Sequence, residues 1–398
     1  MSFPPPLWTR VAITVWAILL AAVCIKPLFS PFSSTVFITY EKAGEDFAAG
    51  ERLYDRTHPY TDNFRYPPVV AAGFVPFTWI PPGFGSVVWR LIGVAVFLTG
   101  MAVWARRLCP DISIPLLLLL AVPLSIGSLS NAQANTHIAG LMLWGSVLAS
   151  RGRWIAAAVL VAGAALFKGY PIALGGLLVL LAPLRFGLPL LLAVAAGLIA
   201  PYAFQSADYV TAQYQYLFDN LDRDDRTTRP LYAGLQDFHM LLRIVGITVP
   251  RNTYFVVQAG TGLVAAGMIV WLWRRGMNRS DLALNAFTIG ICWMGVFGPV
   301  VEASTFILMA PVMAFELLVP RRPLWTRVLA YGGAAFFLTS VIAFAFPHAV
   351  HRPIVAMGIL PVAALLLSMG AVGRVMATRP MQPKIAVTEL DVPLRNAA

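Results

Sequence analysis

The sequence predicts an all-α membrane protein, a polytopic bundle of about 12 to 13 spanning helices. Of its 398 residues, 59% are hydrophobic and only 12% are charged, and the mean hydropathy is +0.74. An ordinary soluble domain has about a quarter of its residues charged, so that class is excluded. The apolar runs are long and continuous, which favours spanning helices over the alternating strands of a barrel.

The predicted spans follow one another with few interruptions. They cover about 8–29, 84–105, 112–129, 135–150, 154–169, 171–183, 186–204, 253–273, 282–301, 303–319, 326–346 and 353–373. We expect one transmembrane domain over 1–374, with outer loops at about 30–66 and 205–252. A cytoplasmic tail, expected to be disordered, follows over 375–398.

Residues 67–80 are apolar but short, and proline pairs flank them on both sides. They could cross the membrane, or enter it and return. Arginine clusters between apolar runs, such as Arg106-Arg107 and Arg274-Arg275, mark the cytoplasmic side under the positive-inside rule. A consistent count of sides requires residues 67–80 to re-enter, so that alternative is favoured.

The same count predicts a multi-pass protein of the cell membrane with its active face outside the cytoplasm. It places Gln133 to Asn135, Lys168, Glu302 and the 205–252 loop together on the outer side. The net charge of +11 is explained by membrane anchoring, so no nucleic-acid partner is expected.

No cofactor is expected from the sequence. The three cysteines lie in or beside apolar runs without paired or metal-ligand spacing, and we interpret them as structural. No glycine-rich phosphate loop is present. Scattered carboxylates could hold a divalent cation, although no ligand spacing defines a site.

Residues 36–68 form the first long polar interruption and hold six of the 18 carboxylates. Glu41 and Glu45 are four residues apart, so they share one face of a predicted amphipathic helix. Ser33 to Thr35 can cap this helix, and Gly50 can end it. We expect a juxtamembrane helix on the membrane surface, with its acids turned toward water or a substrate.

Four further features are candidates for ligand binding, and each has a plainer interpretation. The 205–252 loop contains acids, arginines and aromatics. These residues could bind a sugar, or they could form salt bridges with one another in a solvated loop. Lys168 ends a span and could bind a phosphate or extend to the interface. Gln133 and Asn135 could bind a ligand or bridge helices. Glu302 is ionisable at membrane depth, so it is a functional candidate or the partner of an arginine.

A series of short motifs runs through the first half of the chain. In order, they are Tyr40, Ala43, Gly50-Glu51-Arg52-Leu53-Tyr54, Phe64-Arg65-Tyr66-Pro67-Pro68, Pro76, Ile80-Pro81, Ala132-Gln133-Ala134-Asn135 and Lys168-Gly169-Tyr170-Pro171. Together they resemble glycosyltransferase family 87, the polyprenol-phosphate-mannose-dependent mannosyltransferases of the GT-C superfamily. Their order and spacing agree over about residues 30–185, and less closely on to 311. Two positions depart from the family. Val36 stands where the family carries its presumed catalytic carboxylate, and Ser304 stands where a histidine is common.

The resemblance implies transfer of a mannose-like hexose from a polyprenyl-phosphate donor to a hydroxyl of a glycan or glycolipid acceptor. A carboxylate base and a single displacement would suffice. For the base we favour Glu41 or Glu45, followed by Asp46 and Asp62. Lys168, Arg65 and Arg229 are the phosphate candidates. The remaining substrate-binding candidates are Tyr40, Tyr66, Gln133, Asn135, Tyr170, Arg226 and Glu302.

Two other functions compete with this prediction. A lipid or solute transporter, or a flippase, would also place charges at membrane depth. Such folds usually show internal repeats with broken helices, and we find no convincing repeat in the sequence. A catalytically inactive family member is the third alternative, because Val36 replaces the expected acid.

Overall fold

A computed structural model describes residues 6–33, 35–54, 61–223, 229–320 and 322–377. Every regular element in these ranges is helical, which confirms the all-α class. The predicted tail beyond 377 lies outside the described residues. The α-helices are α1 Pro6–Phe29, α2 Thr35–Ala49, α3 Pro68–Phe74, α4 Pro82–Leu108, α5 Ile114–Ser130, α6 Asn135–Ser150, α7 Trp154–Phe167, α8 Ile172–Val179, α9 Leu188–Ile199, α10 Ala207–Arg223, α11 Phe238–Ile244, α12 Arg251–Arg274, α13 Arg279–Phe297, α14 Ala310–Leu318, α15 Leu324–Ala343, α16 His348–Ala356 and α17 Ile359–Ala377.

Seven of the described helical segments are long and apolar enough to cross a membrane. They are Leu7–Phe29, Pro82–Leu108, Pro183–Ala203, Arg251–Arg274, Arg279–Phe297, Leu324–Ala343 and Ile359–Ala377. Shorter apolar helices occupy other predicted spans, including Ile114–Ser130, Trp154–Phe167 and Ala303–Leu318. The span predicted over 171–183 contains only the eight-residue helix α8. Central in the bundle is α13, which contacts α6, α8, α12 and α17.

The segment predicted to re-enter is a short, broken helix. It consists of α3 and a 3₁₀ turn over Val75–Trp79 that contains Pro76. Twelve residues in this geometry extend only about 20 Å, against about 30 Å for the hydrocarbon core. The length therefore favours re-entry over a full crossing.

Helix α2 confirms the predicted helix but not the predicted exposure of its acids. Glu45 is exposed, as expected, whereas Glu41 and Asp46 are buried, so the prediction that they face water is wrong.

Helix α2 packs against the short segment that contains α3. Its apolar face, including Phe37, Tyr40 and Phe47, is buried. Phe37 and Tyr40 contact the ring of Phe74 with centroid separations of 6.2 and 4.8 Å. At Gly44 a Cβ atom would lie 2.9 Å from the carbonyl carbon of Phe74, so glycine permits this close approach.

The region predicted as an outer loop over 205–252 contains two helices, α10 and α11. The prediction missed α10 because its apolar residues are sparse. Val210, Leu217 and the polar Gln213 and Asn220 nevertheless recur at helical spacing and are buried. Gln213 Oε1 accepts from the Leu53 N–H at 2.9 Å, and Asn220 Nδ2 donates to the Phe64 carbonyl at 3.0 Å. The two predicted outer loops are therefore packed together.

Charged residues cluster at the start of α13 and at the end of α14. These are the ends of the two helices that lie farther along the chain from Glu302. Glu316 is fully buried and accepts from Arg322 Nη1 at 3.0 Å and from Arg374 Nε at 2.7 Å. The Arg279 guanidinium lies 5.6 Å from the Trp154 ring centroid, which brings the turn before α7 to the start of α13. The side of the membrane on which these arginines lie stays a prediction.

The contact between α2 and α3 yields a stability test. We expect Gly44→Ala to destabilise the protein by about 1–3 kcal/mol, because backbone atoms of α3 block the added methyl group. Gly73→Ala is the matched control, since nothing lies within 4 Å of its Cβ position. An alanine there should be neutral or stabilise α3 by about 0.5–1 kcal/mol. Thermal unfolding in detergent measures both effects, and an unchanged melting temperature for Gly44→Ala would contradict the packing.

Candidate active site

A cavity of about 470 Å³ lies where several of the predicted motifs meet. Its volume falls in the range typical of small-molecule sites. The lining residues come from the start of α2, residues 62–67, the α5–α6 turn, the α7–α8 junction, α10, residues 235–239, α12 and residues 299–302. Segments separated by more than two hundred positions in the sequence therefore share one cavity.

Two tyrosines form one wall of the site. The Tyr40 hydroxyl donates to the Tyr66 hydroxyl at 3.1 Å, and Tyr66 lines the cavity. Burial raises the pKa of Tyr40 well above its usual value and that of Tyr66 to about 12, and the nearby Glu302 carboxylate also raises both. Both phenols are therefore neutral at physiological pH. Because Tyr66 accepts from Tyr40, its own proton is available to a group in the cavity.

The α5–α6 turn supports the cavity floor. Ala132 has φ of +52°, the Ala132 N–H donates to Leu129, and the Gln133 N–H donates to Ser128. This pattern is a Schellman motif with alanine where glycine is usual. Trp89 Nε1 donates to the Ala132 carbonyl at 3.0 Å, and Arg90 Nε donates to the Leu129 carbonyl at 2.7 Å. Two side chains of α4 thus hold the turn.

Beyond this turn, the two predicted amides have different environments. Gln133 lines the cavity. Asn135 is fully buried; its Oδ1 atom accepts from the Tyr170 hydroxyl at 3.1 Å, and its Nδ2 atom lies 3.3 Å from Ser304 Oγ. Asn135 therefore bridges the α7–α8 junction and the segment after Glu302, whereas Gln133 faces the ligand space.

The predicted cations lie at different distances from the cavity. Lys168 and Arg65 line it, together with Arg251, which the sequence did not single out. Arg65 Nη1 lies 3.3 Å from Asp62 Oδ2. Arg229 does not line the cavity; its carbonyl accepts from Arg243 Nη2 at 2.8 Å. Arg226 lies outside the described residues.

The carboxylates divide into two groups. Asp62, Asp237 and Glu302 line the cavity, whereas Glu41, Glu45 and Asp46 do not. Glu45 pairs with Lys42 at 2.6 Å on the surface. Glu41 is 2% exposed, and its Oε2 atom has no hydrogen-bond partner among the described residues. The roles of Glu41, Glu45 and Asp46 as bases remain predictions.

Asp237 was missed by the sequence analysis. It precedes α11 as its N-cap, and its carboxylate accepts from the Met240 N–H. The Gln236 N–H donates to the Val301 carbonyl at 2.7 Å, which brings Asp237 beside the segment of Glu302. An aspartate directly before a short apolar helical run was the available signal. Within the described ranges, no group of three or more histidine, cysteine or carboxylate side chains is arranged as a metal site.

Taken together, the helices and this cavity define a multi-pass membrane protein with a ligand-sized cavity whose largely apolar walls carry several polar and charged side chains. The chain belongs to glycosyltransferase family 87, whose sequence model matches residues 64–299, more than half of the chain. It is therefore a membrane glycosyltransferase. No curated protein matches the sequence.

Two solved structures are similar over most of the chain. They are ArnT from Cupriavidus metallidurans bound to undecaprenyl phosphate and the same protein in the apo state. The identities are 18% and 17%, and both TM-scores are 0.41. Each match covers 91% of this chain and 78% of the other.

The strained turn yields a prediction. We expect Ala132→Gly to raise the stability of the protein by up to about 1 kcal/mol, because glycine adopts positive φ without the Cβ penalty. Ala134→Gly is the matched control, with an ordinary helical φ of −63°, and it should lower stability by about 0.5–1 kcal/mol. Thermal unfolding of both variants measures these changes in stability. If both substitutions destabilise the protein, the backbone at Ala132 is not strained.

Glu41 yields a second prediction, on pH. Burial, with a smaller contribution from the Glu45 carboxylate, raises its pKa from 4.5 to about 7, and the Lys42 ammonium opposes this rise. The folded state holds a proton that the unfolded state releases, so this group should make stability fall as pH rises from about 4.5 to about 7. Glu41→Gln should remove this contribution and be more stable than the wild type near pH 8. Melting temperatures across this pH range provide the measurement.

The control for this prediction is Asp208→Asn. Asp208 is exposed on α10 and is not among the charges that shift the pKa of Glu41, so its variant should keep the wild-type dependence on pH. Equal slopes for the wild type and Glu41→Gln would show that Glu41 is not protonated in the folded protein.

Proposed function

We propose that this glycosyltransferase moves a hexose, mannose in the first instance, from a polyprenyl-phosphate donor to an acceptor hydroxyl in the cavity. The observation that carries the proposal is the combination of Glu302, Lys168 and Arg65 around one cavity with largely apolar walls. A carboxylate can accept the proton of the acceptor hydroxyl, and cations can stabilise the departing phosphate. Apolar wall residues such as Phe167 and Val300 suit a lipid-linked donor.

Glu302 is the carboxylate that we propose as the base. It is half-buried and close enough to Tyr40, Tyr66 and Tyr170 to raise their pKa values. Its backbone is fixed, because the Glu302 N–H donates to Thr305 Oγ1 and the Thr305 N–H donates to the Glu302 carbonyl. Asp62 is the alternative, but its side chain is 61% exposed and lies beside Arg65.

The proposed step is a single displacement. The acceptor oxygen attacks the anomeric carbon while Glu302 takes its proton, and the bond from that carbon to the phosphate oxygen breaks. The phosphate leaves with the bonding electron pair, stabilised by Lys168 and Arg65. Tyr66 and Gln133 are placed to hydrogen-bond to the sugar. This step inverts the configuration of the anomeric carbon.

The position of this cavity supports an active face outside the cytoplasm of the cell membrane. The cavity lies away from the buried Glu316, Arg322 and Arg374 cluster and from the arginine-rich turns that mark the cytoplasmic side under the positive-inside rule. Labelling of single cysteines introduced at Arg65 and Arg279 with a membrane-impermeant reagent would test the orientation.

The base prediction is tested by transfer from labelled polyprenyl-phosphate mannose to candidate glycans with the purified full chain in lipid nanodiscs. We expect Glu302→Gln to lower the rate about a hundred- to ten-thousandfold, which is the usual contribution of general-base catalysis. Asp62→Asn should have a smaller effect, because Asp62 is largely exposed.

Two controls complete this assay. Glu45→Gln changes an exposed carboxylate that does not line the cavity, and it should transfer at the wild-type rate. Glu41→Gln should also stay active; a loss there with normal Glu302→Gln activity would restore the original sequence-based assignment. If the wild type transfers nothing from any lipid-linked donor, the enzyme proposal fails in favour of an inactive member or a transporter.

A further inference from the structure

The cavity has a second group of polar side chains that the proposed step does not use. Asp237 comes from the start of α11, and Arg251, Tyr254 and Gln258 come from the first two turns of α12. None of the four was a candidate in the sequence analysis. We call Asp237, Tyr254 and Gln258 the α11–α12 cluster.

Asp237 is held firmly and is nearly inaccessible to solvent. It is 3% exposed, and its Oδ1 atom accepts from the Met240 N–H at 3.2 Å. Burial raises its pKa to about 6, although main-chain N–H groups at the start of α11 oppose this rise. A carboxylate can accept about four hydrogen bonds. The helix cap therefore leaves capacity for a donor in the cavity.

Tyr254 provides an independent observation that points to a ligand. It is 5% exposed, and its hydroxyl has no acceptor for its proton among the described residues. A buried donor without an acceptor is unfavourable, so such groups usually have a partner. Its ring packs against His239 at 4.9 Å, and His239 is itself fixed by a 2.7 Å contact between Nε2 and the Val249 carbonyl. The main-chain N–H of His239 is directed at the hydroxyl oxygen, so the tyrosine is held in place with its proton left to donate.

Gln258 completes the cluster with a fixed orientation. Its Nε2 atom donates to the Phe297 carbonyl at 2.7 Å, so its Oε1 atom is the end left to accept from a bound group. Carboxylate and amide oxygens accept, and the phenol donates. A set of fixed acceptors with one donor matches the hydroxyl groups of a sugar.

The cluster is also tied to the proposed reaction centre. The Gln236 N–H donates to the Val301 carbonyl at 2.7 Å. Gln236 directly precedes Asp237 and Val301 directly precedes Glu302, so this hydrogen bond brings the two carboxylate-bearing segments side by side. A ligand held by Asp237 and Tyr254 is therefore bound next to the segment that carries the base.

We propose that the α11–α12 cluster binds the hydroxyl groups of the acceptor sugar, with Asp237 accepting from one hydroxyl and Tyr254 donating to a sugar oxygen. The donor phosphate is bound separately, by Lys168 and Arg65. This inference rests on the proposed function, because it takes Glu302 as the point of transfer.

The test compares Asp237→Asn and Tyr254→Phe with the wild type, using the full chain in nanodiscs. Asparagine caps a helix about as well as aspartate, so the first variant keeps α11 while losing the charge. Tyr254→Phe removes only the hydroxyl and keeps the ring contact with His239. The probes are methyl α-mannoside, titrated by tryptophan fluorescence, and undecaprenyl phosphate. We expect both variants to bind the mannoside roughly ten- to a hundredfold more weakly and undecaprenyl phosphate unchanged.

Matched controls are Asp208→Asn and Tyr232→Phe, which make the same changes at exposed positions that do not line the cavity. Both should bind like the wild type. Unchanged mannoside binding in Asp237→Asn and Tyr254→Phe, or no mannoside binding by the wild type, overturns the inference. If the two variants bind the mannoside more weakly but the wild type transfers no sugar, the cluster is supported and the proposed function fails. Failure of this inference and failure of the proposed function are therefore distinguishable.

Discussion

The cavity depends on the turn between α5 and α6. Ala132 adopts a left-handed conformation there, and Trp89 and Arg90 hold the surrounding carbonyl groups. Such a backbone is costly at membrane depth unless its polar groups are paired. The hydrogen bonds from Trp89 and Arg90 of α4 make the turn rigid. This rigidity fixes the positions of Gln133 and Asn135, which follow the turn.

The turn explains why the family's motifs occur together. The Ala134 N–H lies against the Tyr40 hydroxyl, and Asn135 reaches both Tyr170 and Ser304. Tyr40, Tyr170 and Ser304 each belong to a different motif or helix junction, and the motif of Ala134 and Asn135 contacts all three. Loss of one motif would leave buried hydrogen-bonding groups of another unpaired, which costs more than the bond itself contributes. The set is therefore coupled through direct contacts.

Much of the fold could be predicted from the sequence, because long apolar runs identify spanning helices without knowledge of their neighbours. The gathering of Lys168, Gln133 and Glu302 around one cavity follows from the same count of spans. The burial of Glu41 could not be predicted, because Glu41 and Glu45 share a helix face by spacing. Only the docking of α3 distinguishes a buried carboxylate from an exposed one. Asp237 was hidden for a related reason, since an N-cap has the same sequence pattern with or without a cavity beside it.

Val36 and Glu302 are best understood together, because both line the same cavity. Where the family resemblance places an acid on α2, this chain presents an apolar side chain, and a carboxylate enters from residues 299–302 instead. A general base must lie within hydrogen-bonding distance of the acceptor hydroxyl. Any segment that lines the cavity can supply it. Residues 299–302 are well suited to carry it, since Val300 has φ of +57° and the Val301 carbonyl is bound by Gln236. A strained segment held by its neighbours is the kind of backbone that keeps a catalytic group in position, so the departure at Val36 is compatible with activity.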